Sequence, residues 1–180
     1  MLTDTEFLNR TLAMREQELR AVIEASRHNL WKTTFKDSAR AIFDECCNLI
    51  GATSGYVALL SEDGEENELL FLEQGDAHCT VDPDLPMPIR GLREQAYLGN
   101  CAVYDNDFMQ SEWVSMMPEG HMALKNVMFA PLVIDGKALG VMGMANKDGD
   151  FTDREAQLAQ VFGELAAVAL KNSQYLEQLG

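Results

Sequence analysis

His121 closes a Pro118-Glu119-Gly120-His121 turn. An imidazole near neutrality can ligate a metal or haem, or hydrogen-bond a ligand. It can also bond a backbone carbonyl and tie its own loop down, and this reading is favoured because short motifs are weak warrants for chemistry. Met87, Phe108, Trp113 and Met128 could form the apolar wall that small-molecule sites have, or could be ordinary core. Asp105, Asn106 and Asp107 read first as a turn with Asx chemistry and second as polar pocket residues. Asn126 opens an apolar strand; pointing inward, its amide would need partners, which makes it a candidate ligand contact.

The four cysteines form no framework. Cys46 and Cys47 are adjacent on an expected helix and point about 100° apart, while Cys79 and Cys101 stand alone. Without a C-x-x-C or a Cys/His cluster there is no zinc signature, and the pattern suits reduced thiols in a cytosol. A reactive thiolate wants a helix N-terminus or basic neighbours. Cys79 follows His78 but lies between Asp76 and Asp82, and Cys101 has Asp105 nearby. No Gly-x-Ser-x-Gly, phosphate-loop glycine pattern or His-Glu-x-x-His occurs.

The 180 residues suffice for one domain with a sizeable core. A net charge of −15 repels nucleic acid and anionic membranes, whose binding depends on Lys and Arg neutralising phosphate. No apolar run reaches the ~20 residues that span a bilayer, and the N-terminus lacks the pattern of a signal peptide. The expected location is the cytoplasm, with no nucleic acid and no membrane as partner.

The elements that must position these residues are legible in turn. Residues 4–29 contain no Pro or Gly and read as one helix, capped by Asp4 or Thr5, with Leu8, Leu12, Leu19 and Val22 on a heptad spacing. Lys36 to Leu49 form a second helix ended by Gly51. Strands follow at 55–60 and 68–73, the first apolar on both faces. Prolines break the segment from Gly75 to Gly99, apart from a short helix near 89–97. Residues 101–104 suit an edge strand and 111–117 a helical turn. Asn126 to Ile134 and Ala138 to Ala145 are strands joined by Asp135-Gly136, a strong hairpin signal because both central residues of a type I′ turn need positive φ. The last helix, Asp153 to Leu179, carries two stripes. One holds Leu158, Phe162, Leu165, Ala169, Leu176 and Leu179, and the other holds Val161, Val168 and Tyr175. One sheet face cannot cover both, so a second helix or a second chain is expected.

This order of elements over residues 35–172, with Ala130-Pro131-Leu132, Asp135-Gly136 and Leu139-Gly140-Val141, resembles a GAF domain, a small-molecule sensing module. The resemblance implies an α+β, GAF/PAS-like fold. Its six-stranded, mainly antiparallel sheet carries the N- and C-terminal helices on one face and a ligand pocket on the other, under residues 75–125. It divides the chain into a signalling and dimerisation helix (1–34), the GAF domain (35–172) and the end of an output helix (173–180). The implied role is non-enzymatic. An unidentified small ligand would touch Met87, Asp105, Phe108, Trp113, His121, Asn126 and Met128, and the signal would leave through terminal helices paired in a homodimer. A longer parent could carry a kinase or cyclase output. Haem at His121 is the disfavoured cofactor, and no metal is expected. Asn146, Lys147 and Phe151 echo the pattern of cyclic-nucleotide-binding members, but only Glu155 remains of that pattern's acidic pair, and Lys147 with Glu155 reads as a structural clasp. His78-Cys79 reverses the Cys-His order of bilin attachment. Two alternatives are an interaction-only dimerisation module and a thiol-dependent free methionine sulfoxide reductase using Cys79 and Cys101, although that family's cysteine motifs are not reproduced.

Overall fold

The computed structural model describes residues 3–27, 34–75, 79–82 and 84–179. Along it run α1 (Asp4–Arg27), α2 (Phe35–Ile50), β1 (Ser54–Leu60), β2 (Asn67–Glu73), α3 (Leu92–Gly99), β3 (Val103–Asp105), β4 (Val127–Ile134), β5 (Lys137–Ala145) and α4 (Asp153–Leu179). Two 3-10 turns, Phe108–Gln110 and Glu112–Met116, lie between β3 and β4. The last two residues of the helix expected over 4–29, together with Asp76 and His78 of the cysteine argument and the Leu179 side chain, lie outside the described residues.

The sheet is antiparallel throughout, in the order β2-β1-β5-β4-β3. Asp135 and Gly136 have φ of 52° and 72°, the two positive values that a type I′ turn needs, and they join β4 to β5. Pro131 sits inside β4 where a ladder donor is missing. There the register slips between Pro131 and Val133, and β3, paired only with Val127 to Phe129, no longer covers that edge. Five strands are described, not the six expected. At the free edge of β2 the chain makes one isolated bridge, Glu66 to Pro88, flanked by Asn67 N–H to Met87 O (2.9 Å) and Ile89 N–H to Glu65 O (3.0 Å). Pro86 and Pro88 have no N–H to extend that ladder.

One sheet face packs on α2 and α4. Val57, Phe71, Met128, Ala130, Leu132, Met142 and Met144 meet Ile42, Phe43 and Cys46 of α2 and Ala159, Phe162 and Ala166 of α4 in one buried cluster. Gly163 lets α4 lie directly on β4, because a Cβ there would stand 2.4 Å from the Pro131 carbonyl oxygen. Burial pushes the Cys46 thiol well above its ordinary value and that of Cys47 up to about 12, so both remain unreactive small apolar groups.

Helix ends follow reciprocal capping. Thr3, rather than Asp4 or Thr5, caps α1: its hydroxyl accepts the Glu6 N–H (3.3 Å) while Glu6 accepts the Thr3 N–H (2.8 Å). Thr152 and Glu155 repeat the device at α4. Gly51, at φ 80°, ends α2 with its N–H on Cys47 O. The α1 helix rides on α2 and α4 as an outer layer, burying Ala25 and Glu18. The two expected stripes of α4 separate. Leu158, Phe162 and Ala169 are buried in the domain's own core, whereas Val161, Val168 and Tyr175 are 38%, 37% and 61% exposed and Leu176 joins them. On α1, Phe7, Leu8, Leu12 and Leu19 are exposed as well.

Candidate ligand site

The sheet face opposite the helices forms the floor of a hollow. Cross-strand pairing sets Leu72, Tyr56, Gly143 and Phe129 in one row and Ser54, Ala145 and Val127 in the next. Gly143 makes that floor possible. A Cβ there would fall 2.7 Å from Tyr56 Cε1 and 3.1 Å from Phe129 Cε1, so the two rings lean over it with centroids 6.4 Å apart. The roof comes from the stretch between Met87 and Leu124, through α3, the two 3-10 turns and the loops around them. Leu92, Phe108 and Leu124 join Val127 and Ala145 in a small second core, with Trp113, Met117, Met122 and Phe129 packed around it. The hollow between roof and floor has a volume of about 160 Å³.

Its polar groups are few. Arg93 Nη1 donates to the Tyr56 hydroxyl (3.0 Å) and Nη2 to Pro88 O (2.6 Å), while Nε is buried without a partner. Arg90 Nη2 donates to Met116 O (2.7 Å). His121 Nδ1 lies 2.8 Å from Met122 O, a contact that requires the proton on Nδ1 and makes Nε2 the basic nitrogen of the neutral ring. No carboxylate occurs among the described residues lining the hollow. Beside Arg93, the Tyr97 hydroxyl donates to Asn67 Oδ1, and burial raises its pKa.

Of the residues expected at a site, Met87, Phe108, Trp113 and His121 line this hollow. Asp105 does not line it; its carboxylate accepts the Asp107 N–H (2.9 Å) in an Asx turn. Met128 lies on the other sheet face, fully buried under the helices, because Val127 and Phe129 take the hollow side and strand residues alternate. Asn126 is fully buried and spent on backbone: Nδ2 donates to Lys147 O (3.1 Å) and Gly149 O (2.7 Å), and Oδ1 accepts the Lys147 N–H (2.9 Å). Sequence reasoning missed Tyr56, Arg90, Arg93, Phe129 and Gly143. The available signal was two arginines three positions apart, the first of them two residues after Pro88, in an acidic chain.

The Asn126 clamp begins a polar chain that leads away from the hollow. Lys147 Nζ donates to Asp150 O (2.8 Å) and pairs with Glu155 (3.3 Å). The preceding residue of α4, Arg154, holds the buried Glu18 of α1, and this guanidinium keeps the Glu18 carboxyl below its ordinary value. Lys147, Phe151 and Glu155 thus serve the junction of β5 with α4 rather than the hollow, while the Asn146 amide ties the end of β5 to Lys125 N–H, Ala123 O and the Ser54 hydroxyl.

The family model described as GAF domain matches residues 32–171. Similar solved structures include the GAF domain of a phosphoenolpyruvate-protein phosphotransferase from Coxiella burnetii, at 11% identity and a TM-score of 0.74, covering 91% of this chain and 98% of that one. The corresponding domain from Acinetobacter is 14% identical, with a TM-score of 0.70, covering 90% of this chain and 95% of that one. Free methionine-R-sulfoxide reductase from Neisseria meningitidis, in complex with its substrate, is 16% identical, with a TM-score of 0.68, covering 88% of this chain and 91% of that one. No curated protein matches the sequence.

Proposed function

This chain belongs to the GAF domain family, and we propose that it is a sensory domain that binds a small ligand between its sheet and the Met87–Leu124 roof. GAF domains are sensory and ligand-binding modules of signalling proteins, generally regulatory rather than catalytic. The observation that carries the proposal is the hollow itself: apolar, opposite the helical layer, and furnished with a few convergent polar groups. Its volume of about 160 Å³ compares with cavities that hold a benzene-sized molecule. Haem or a cyclic nucleotide would not enter it as it stands. The ligand acts in the cytoplasm, and its signal leaves through α1 and α4.

Native mass spectrometry of freshly purified protein tests this reading. Retained mass, lost on unfolding and reduced in Trp113→Ala, is the expected result. A bare chain that also ignores small-molecule libraries would support the interaction-only module instead.

The dimer belongs to the same proposal. The exposed faces of α1 and α4 are what a two-fold bundle would cover. Helices packed in alternative registers could then carry a change in the roof to a neighbouring domain. The reductase reading has less support, because neither Cys79 nor Cys101 lines the hollow; Cys79 lies against Gly120 O (3.9 Å) and Cys101 is exposed.

A further inference from the structure

We infer that the ligand of this hollow is a small anion, a carboxylate on a compact apolar body, and that Arg93 receives its charge. This rests on the ligand-binding reading above and narrows it.

The charge distribution is the first ground. The chain has 29 Asp and Glu against 14 Lys and Arg, yet the lining of the hollow includes Arg90, Arg93 and His121 and no described carboxylate. Arg93 makes no ion pair among the described residues, and its partners, the Tyr56 hydroxyl and the Pro88 carbonyl, are neutral. A guanidinium keeps its charge at any physiological pH, and a half-buried charge facing only neutral groups is poorly compensated.

The second ground is geometric. Arg93 Nε is buried and unpartnered, and Nη1 and Nη2 each have one further N–H. The guanidinium edge formed by Nε–H and an adjacent Nη–H is the fork that accepts a carboxylate through two parallel hydrogen bonds. An anion that displaces the packing over Nε would satisfy the orphan donor and supply the missing counter-charge together.

The apolar body follows from the remaining walls, namely Phe108, Trp113, Phe129 and the methionines. A volume of about 160 Å³ limits it to roughly six to ten non-hydrogen atoms. Met87, Met116, Met117 and Met122 lend the lining some adaptability, since thioether chains repack readily. The surrounding field of a −15 chain repels anions, so a carboxylate held here must be held by the site.

The test uses the full chain with 13C-methyl methionine, titrated with benzoate and isovalerate and with their neutral counterparts benzamide and isovaleramide. Both acids should shift the methyls of Met87, Met116, Met117 and Met122, leave those of Met128 and Met142 in place, and bind about tenfold or more tightly than the amides. Arg93→Gln should erase that preference while amide binding persists, with the Met128 and Met142 signals reporting an intact fold. Arg93→Lys keeps the charge without the fork and should weaken acid binding by about three- to tenfold. Equal affinity for acid and amide in the wild type, or unchanged acid affinity in either variant, overturns the anion assignment and leaves the hollow standing as a ligand site. Roof methyls that ignore all four probes at millimolar concentration overturn both.

Discussion

At the scale of single residues, two positions can be tested directly, one in the floor of the hollow and one beside it at the start of β4. Gly143 is one. An added methyl would meet the Tyr56 and Phe129 rings at 2.7 and 3.1 Å and must push them into the hollow. Gly143→Ala should lower stability by about 1–3 kcal/mol, the usual range for overpacking, and weaken any probe that enters the hollow. A urea midpoint together with a binding titration checks both, and an unchanged binding constant would refute the steric argument. Asn126 is the other. It bonds three backbone groups, so Asn126→Ala leaves Lys147 and Gly149 without those partners and should cost about 2–3 kcal/mol. Its buried position was readable from the sequence, but its partners were not, because they lie beyond a hairpin. Met128, expected at the ligand but lying on the other face, was misplaced for a different reason. Val127, Met128, Phe129 and Ala130 are all apolar, so the strand offers no polar face to fix its phase.

At the scale of elements, α1 is held by burial of Ala25 and by the Glu18–Arg154 pair. The Glu18 carboxyl lies below its ordinary value, first because Arg154 hydrogen-bonds it. A depressed carboxyl contributes stability above its unfolded-state value of about 4.5 and loses it as pH falls through the lower folded-state value. Amide exchange across α1 should therefore accelerate as pH falls below about 4.5, once corrected for intrinsic exchange. Glu18→Gln should show the faster exchange already at neutral pH and remove the acid dependence; α1 amides indifferent to the substitution would refute this anchoring. The hairpin and both long helices were legible because Asp-Gly and apolar periodicity are local signals. The threonine caps carry an equally local signal, Thr-x-x-Glu at residues 3–6 and 152–155, but the first cap was expected at Asp4 or Thr5 and the second went unread. The roof was legible only as a region, since its shape depends on packing between distant segments such as Arg93 on Tyr56.

At the scale of the whole molecule, the exposed apolar residues of α1 and α4 argue for a second copy. Light scattering should give about 40 kDa, twice the 20.0 kDa chain. Val168→Glu is the informative substitution, because Val168 is exposed whereas Leu165 packs against its own core; it should yield monomers whose circular dichroism shows unchanged helix content. Two chains of −15 each repel, so association should tighten as salt rises from low to physiological strength. A wild type that stays monomeric at high micromolar concentration, whatever the salt, would end the bundle reading.

The sheet divides the buried residues into a large cluster under the helices and a small one under the roof. Substitutions in the roof therefore alter the small cluster and leave the packing of the large one in place. Changes there could alter what enters the hollow while leaving the helical core beneath the sheet as it is.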